Sequence, residues 1–327
     1  MSTRSEFVWM DGELVPYDQA TVPFLSRTLH YGIGVFEGIR CYSTPDGPAV
    51  FRLKEHVARL FDSARVLGIM EMPFTEEQIR EGIKQTIRAN GYEECYIRPL
   101  IYYSSDEMGL NMAAGTVSVG IAVWKWGAYL GEEGVAKGVR ACVSSYTRHH
   151  LNSIMTKAKI TGNYPNSVMA KTDAVRAGFD EAIMLDAQGY VAECTGENLF
   201  LVRGGRIITP PMAPVLEGIT RDSLMQVARG LGIEVVEQAV SRDQLYIADE
   251  LFVSGTAAEV CAIREVDFRT IGEGRMGPVT TQIQRAYQDL IHGRHALSAQ
   301  WCDPVGDAVP VETGLASDKT QPVAVRP

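Results

Sequence analysis

The sequence predicts a two-domain protein of mixed α+β and α/β character. Its 327 residues can form two domains, or one large one, with a sizeable core. Strand patterns and amphipathic helices fill residues 1–125 and recur over residues 139–295. Between them residues 126–138 open with Trp126-Gly127-Ala128-Tyr129-Leu130-Gly131-Glu132-Glu133-Gly134, broken by three glycines. They read as an interdomain loop, a common place for a small-molecule cleft, with Trp126 and Tyr129 as walls. From residue 296 the chain turns polar and Pro-rich, and residues 296–327 read as a poorly ordered or draped tail.

Residues 6–15 alternate and turn at Asp11-Gly12, a hairpin signal. The segment Ser26 to Tyr42 mixes aromatic and charged residues with three glycines, Gly32, Gly34 and Gly38, a pattern suited to a cleft wall. Residues 52–69 predict a helix with Leu53, Val57, Leu60, Phe61 and Ala64 as its apolar stripe. Arg59 shares a turn with Glu55 and Asp62, so a surface ion pair is one reading of it. Thr75 opens a second helix with Glu76 and Glu77 in the first turn, running to about Asn90-Gly91. Tyr96-Ile97-Arg98-Pro99-Leu100-Ile101-Tyr102-Tyr103 and residues 116–124 are strand-like. The first half therefore reads as an α+β unit with a mostly antiparallel sheet.

The second half begins with a strand at Val139–Ser144 and a helix from Tyr164 to Ala177. A strand follows at Glu181–Asp186, then a turn at Gln188-Gly189. Glu193 and Glu197 bring two carboxylates together beside the strand ending at Val202, an arrangement that drives such groups into different roles. Gly218-Ile219-Thr220-Arg221 opens a helix with Thr220 as its expected N-cap. The backbone N–H groups there suit a phosphate; a plain capped helix is the other reading. Ser254-Gly255-Thr256-Ala257-Ala258-Glu259 is a second small-residue loop able to face an anion. Gly277-Pro278 starts a last helix ending near Gly293.

A net charge of −9 argues against nucleic acid as the main partner. No apolar run is long enough for a bilayer, and the N-terminus lacks an apolar signal core. The six cysteines contain no Cys-x-x-Cys pair, so reduced thiols in a cytoplasm are expected and no metal site. Cys194 reads as a small packing residue.

The chemistry centres on Thr156 to Tyr164. Lys159 lies among small and apolar residues, followed by Gly162-Asn163-Tyr164. A lysine in a partly dry site loses its proton more readily, and its amine can form a Schiff base with an aldehyde. Ordinary loop charge is the alternative for Lys157 and Lys159 alike.

Taken in order, His30-Tyr31-Gly32, Phe36-Glu37-Gly38-Ile39-Arg40, Tyr96-Ile97-Arg98-Pro99, Trp126 to Gly131, Lys159 with Gly162-Asn163-Tyr164, Glu193 with Gly196-Glu197-Asn198-Leu199-Phe200, Gly218 to Arg221 and Ser254 to Glu259 form one pattern. That pattern resembles the fold-type IV pyridoxal-phosphate aminotransferases (D-amino acid aminotransferase-like), and within them the branched-chain amino acid aminotransferases. It covers residues 6–294. The resemblance implies a small α+β domain and a larger β-barrel-like domain with helices. It implies pyridoxal 5'-phosphate bound through Lys159, which also moves the substrate proton. Glu193 would pair with the pyridine nitrogen and Tyr164 with the ring hydroxyl. Arg59, Gly218, Ile219, Thr220, Gly255 and Thr256 would hold the phosphate. Tyr31, Phe36, Trp126 and Tyr129 would wall an apolar pocket. Tyr96 and the Thr256-Ala257-Ala258 backbone would take the substrate carboxylate, and Arg40, Arg98 and Tyr31 would complete the substrate site.

The activity implied is transamination of L-leucine, L-isoleucine and L-valine with 2-oxoglutarate, in a homodimer, some relatives being hexamers. Alternatives on the same fold are a D-amino acid or (R)-amine transaminase and an aminodeoxychorismate lyase. A cofactor-free scaffold is disfavoured because Lys159, Glu193, Tyr164 and Arg59 are all present. The basic segment Thr147-Arg148-His149-His150-Leu151-Asn152 and Ile160 depart from the expected pattern. His149 and His150 read as loop residues.

Overall fold

Asp11 and Gly12 turn the first hairpin with φ of 48° and 103°, the doubly left-handed geometry that matches strand twist. In the computed structural model, which describes residues 4–105, 107–112, 115–127 and 129–306, they join β1 (Phe7–Met10) to β2 (Glu13–Pro16). The chain continues through α1 (Arg27–Tyr31), β3 (Val35–Phe36), β4 (Ile39–Thr44), β5 (Gly47–Phe51), α2 (Leu53–Leu67), α3 (Glu76–Ala89), β6 (Cys95–Tyr103) and β7 (Val117–Trp124). These strands make one antiparallel sheet running β5-β4-β6-β7-β1-β2, with β3 on β6. Leu53, Val57, Leu60 and Ala64 of α2 and Ile79, Ile83 and Ile87 of α3 pack on Ile39, Ile97, Val119, Ile121 and Val123. Each large aliphatic buried there contributes roughly 1.5–3 kcal/mol. Thr75 and Gln78 close a reciprocal capping box at the start of α3, as the sequence predicts.

After α4 (Gly131–Lys137) come β8 (Val139–Val143), α5 (Tyr164–Arg176), β9 (Glu181–Leu185), β10 (Val191–Cys194), β11 (Asn198–Arg203) and β12 (Arg206–Thr209). Then follow α6 (Ile219–Gly230), β13 (Val235–Glu237), α7 (Arg242–Tyr246), β14 (Glu250–Gly255), β15 (Glu259–Val266), β16 (Arg269–Thr270) and α8 (Pro278–Ile291). The second sheet runs β10-β9-β8-β15-β14-β11-β12-β13, with β16 on β15. Its pairs β8–β9, β8–β15 and β12–β13 are parallel. The sheet curls until its edge strand β10 returns against β11, where Cys194 N donates to Glu197 O over 2.8 Å. Period-two alternation explains how the curled sheet is filled and covered. Leu199 and Leu201 of β11 join Ile183, Val253 and Ile263 in one core. Phe200 and Val202, on the opposite face, pack with Phe252, Leu224 of α6 and Tyr287 of α8.

Four expectations need correction. The predicted 126–138 loop contains α4, closed by Gly138 at φ 82°; Ala128 lies outside the described residues. The N-cap of α6 is Gly218, with an extended φ of −68° and ψ of 123°, and Thr220 is already helical. Gly218 is required by crowding, because a Cβ there would lie 1.9 Å from Asn198 Oδ1. The helix starting at Pro278 is not the last one. The predicted tail folds at its start into α9 (Ser298–Trp301) and β17 (Cys302–Pro304), and β17 pairs antiparallel with β5 as the outer strand of the first sheet. Trp301 drives this: it is 3% exposed and lies under the Arg52 guanidinium, 4.4 Å from its ring centre. Residues 307–327 lie outside the described residues. Among the described residues no helix is long and apolar enough to cross a membrane, and no cluster of three or more His, Cys, Asp or Glu could hold a metal.

Candidate active site

The lysine stretch is fixed by the first sheet. Phe36 N donates to Lys159 O over 3.0 Å, Thr161 N to Gly34 O over 2.8 Å, and Gly162 N to Gly32 O over 2.9 Å. The approach is so close that a Cβ on Gly32, whose φ is 67°, would lie 2.6 Å from Gly162 Cα, so both positions need glycine. Lys159 is half-buried, and its Nζ donates to the Tyr164 hydroxyl over 2.7 Å. It also stands 5.2 Å from the Phe36 ring centre.

One cavity collects all nine residues expected to hold a cofactor: Arg59, Lys159, Tyr164, Glu193, Gly218, Ile219, Thr220, Gly255 and Thr256. Within it Glu193 is 5% exposed. Its Oε1 accepts from Arg148 Nε over 2.8 Å and its Oε2 from Asn198 Nδ2 over 3.2 Å. Burial raises its proton affinity, opposed by Arg148, the Leu216 N–H and Lys159. Glu197 also lines the cavity. Burial and the nearby Glu181 push its carboxyl up, while Glu193 faces a cation.

On the same cavity the first turn of α6 offers backbone N–H groups that the helix leaves unpaired. Beside it lies Arg59, which is not a surface partner of Glu55 or Asp62. Its Nε and Nη2 donate to the two oxygens of Glu37 over 2.6 and 2.9 Å, and its Nη1 to Glu217 O over 2.5 Å. Glu37, 0% exposed, also accepts from His56 Nδ1 over 2.7 Å. Burial pushes the Glu37 carboxyl up, but Arg59 and His56 hold it well below the usual carboxylate range.

The aromatic wall continues from the cavity. Phe36 meets Tyr164 at 4.9 Å between ring centres, and Arg98 lies over Phe36 at 4.6 Å. Tyr96, Trp126 and Tyr129 form an edge-to-face series with centres 4.6 and 5.6 Å apart. Other predicted substrate residues lie elsewhere. Arg40, Ala257 and Ala258 border an adjoining hollow with Trp126 and Glu259. Tyr31 ends α1 at 40% exposure, with His30 as its ring neighbour.

The donor set fits a phosphorylated pyridine aldehyde: an amine, a phenol beside it, a buried carboxylate, and an arginine with two backbone turns. Two orphaned atoms support the fit. Ser254 Oγ, which lies on the cavity, and Arg98 Nε are buried without a hydrogen-bond partner, a state that in a native protein signals a missing ligand or water.

The sequence model of the family described as amino-transferase class IV matches residues 34–266, a span containing every residue of this cavity. The chain belongs to the class IV aminotransferases. A branched-chain-amino-acid aminotransferase of Pseudomonas aeruginosa is 49% identical over 301 residues, 92% of this chain and 98% of the relative. The crystal structure of the branched-chain amino acid aminotransferase of Escherichia coli superposes with a TM-score of 0.90 at 45% identity, covering 92% of this chain and 100% of that one. The T.th. enzyme of the same name, solved with pyridoxamine 5'-phosphate, gives 0.89 at 49% identity, covering 92% and 99%; it is also known with N-(5'-phosphopyridoxyl)-L-glutamate.

In this class IV aminotransferase the residues that sequence reasoning missed are those that hold the others. Arg148 sits in the basic segment noted as a departure, and its signal was available: a buried carboxylate such as Glu193 needs a cation. Glu37 stands in the quoted Phe36-Glu37-Gly38 run, and a buried Arg59 needs an anion by the same rule. Asn198, Ser254 and His56 carry no signal in sequence beyond their neighbours.

Proposed function

We propose that this protein transfers the amino group of L-leucine, L-isoleucine or L-valine to 2-oxoglutarate, using pyridoxal 5'-phosphate. The observation that carries the reading is the single cavity holding Lys159, Tyr164, Glu193, Arg59 and the turns at Gly218–Thr220 and Gly255–Thr256, in a chain whose relatives are named for this reaction.

Arg59 and the N–H groups of Ile219, Thr220 and Thr256 hold the phosphate, a dianion met by one guanidinium and two backbone turns. Glu193 holds a proton at the pyridine nitrogen, with Arg148 and Asn198 fixing the carboxylate. Bound there, the cofactor supplies an aldehyde carbon that exchanges amines and a ring that takes up the electron pair left at the substrate Cα. Lys159 would hold the cofactor through its amine, and that amine would serve as the base that removes the proton from the substrate Cα and returns one in the reverse half-reaction. The Tyr164 hydroxyl, 2.7 Å from Lys159 Nζ, keeps that amine beside the ring. Phe36, Tyr129 and Trp126 exclude water and fit a branched apolar side chain. The Thr256–Ala258 turn with Tyr96 takes the α-carboxylate, and Arg98 takes the distal carboxylate of 2-oxoglutarate.

The exposed apolar side chains Phe24, Leu29 and Leu110 support self-association as a homodimer, and light scattering tests it. The domains are taken as residues 1–125, which carry the first sheet apart from its outer strand β17, and 139–295, joined by 126–138, in a cytoplasmic protein. The test of function is the visible absorbance of the purified protein. Bleaching by L-leucine and recovery with 2-oxoglutarate are expected. Bleaching by D-alanine or an (R)-amine, and not by L-leucine, would overturn the substrate assignment.

A further inference from the structure

Glu259 is where the second small-residue loop re-enters the sheet. Gly255 and Glu259 are the last pair between β14 and β15, so Thr256, Ala257 and Ala258 form a three-residue hairpin loop. The residue closing such a loop adopts the left-handed region, which is why glycine is the usual choice. Here a glutamate takes it, with φ 55°. A side chain kept at an unfavourable backbone angle points to a role for that side chain.

Its carboxylate is fully engaged. Oε1 accepts from Arg40 Nη1 over 2.6 Å and from the Tyr42 hydroxyl over 3.0 Å, and Oε2 accepts from Gln288 Nε2 over 2.8 Å. Arg40 and Tyr42 belong to β4 of the first sheet and Gln288 to α8. Arg40 Nη2 donates to the carbonyls of Trp126 and Gly127, over 3.1 and 3.2 Å. The salt bridge is largely shielded, with side chains 13% and 21% exposed.

We infer that Arg40 and Glu259 are positioning residues: their ion pair locks the Thr256–Ala258 turn to the first sheet and to the Trp126 wall, so that the turn's N–H groups meet a substrate carboxylate in one fixed geometry. Neither residue contacts substrate, and Arg40 thereby loses the substrate-binding role that the sequence resemblance gave it. The inference rests on the proposed reading of that turn as the carboxylate site.

The test is calorimetric binding of two ligands by the cofactor-loaded enzyme: 4-methylvaleric acid and its uncharged isostere 4-methylpentanamide. Wild-type enzyme preferring the acid upholds the carboxylate site; equal affinities would remove that reading and the inference with it. Glu259→Gln keeps the shape and loses the charge. It is expected to weaken the acid about tenfold, the scale of a charge-assisted hydrogen bond, to leave the amide within about twofold, and to raise KM for L-leucine and 2-oxoglutarate more than it lowers kcat. Glu259→Gly relieves the backbone angle, so it is expected to keep or raise Tm while losing the same selectivity for the acid. Acid affinity unchanged in both variants would overturn the inference. So would equal losses for acid and amide, which mark a merely structural role.

Discussion

Glu37→Gln is expected to destabilise the cofactor-free protein far more than the loaded one. The substitution removes one negative charge from a fully buried carboxylate that accepts from Arg59 Nε at 2.6 Å, Arg59 Nη2 at 2.9 Å, His56 Nδ1 at 2.7 Å and Gly38 N at 3.2 Å. Arg59, whose side chain is 13% exposed, then lacks a counter-charge. Breaking a buried pair by removing one partner costs about 3–5 kcal/mol. An unfolding entropy of about 2.1 cal/mol/K per residue makes each kcal/mol worth about 1.5 °C in a chain of 327 residues. Cofactor-free Tm should therefore fall by about 4–7 °C. In the loaded protein, on the proposed placement of the phosphate against Arg59, part of the charge balance is restored, so the fall should be less than half of that. Scanning calorimetry of both forms at neutral pH measures it. The native carboxyl is held below its ordinary value of 4.5, so its contribution is complete above that value and lost as pH falls through the lower, folded one. The gap between wild type and variant should stay constant through neutral pH and narrow only in acid. Equal losses in the two forms would refute the placement of phosphate against Arg59; no loss in either would refute the strength assigned to the pair.

Lys159→Ala should lower turnover at least about 10³-fold, as loss of a general base does, and release the cofactor on dialysis, read by absorbance. Arg148→Met withdraws the cation that opposes the burial of Glu193, so that carboxyl rises further; the acid limb of the kcat–pH profile should move to higher pH, and an unmoved limb would contradict the role. Gly218→Ala forces a methyl to within 1.9 Å of Asn198 Oδ1, which frees Asn198 from Glu193; overpacking of about 1–3 kcal/mol and weaker cofactor retention are expected, by thermal melt and dialysis.

The sequence was most legible where one residue type leaves one physical option. Asp11-Gly12, the Thr75–Gln78 box and the apolar stripe of α2 each state their structure locally, and each forms as read. Lys159, Tyr164, Glu193 and the two small-residue turns were legible as a set only through the family resemblance, and the fold brings them to one cavity. The cations and anions that hold them were not. Arg148 is 45 residues from Glu193, Arg59 is 22 from Glu37, and Arg40 is 219 from Glu259. Such pairings follow from the fold, and no local periodicity encodes them. The start of the tail was misread for a related reason: its composition is polar, but one tryptophan inserted under Arg52 fixes it.

That C-terminal strand has a consequence for synthesis. Until β17 adds, the outer edge of the first sheet is β5, and the partner of Phe51, Cys302, lies about 250 residues downstream. At about 5–20 residues per second, translation takes roughly 13–50 s to deliver it. Throughout that interval Ala49, Val50 and Phe51 are an open strand edge on a nascent chain, the kind of surface that recruits a neighbouring polypeptide. A ribosome-bound fragment ending before Ser298 should be held by chaperones, and one reaching beyond Pro304 and clear of the exit tunnel should be released.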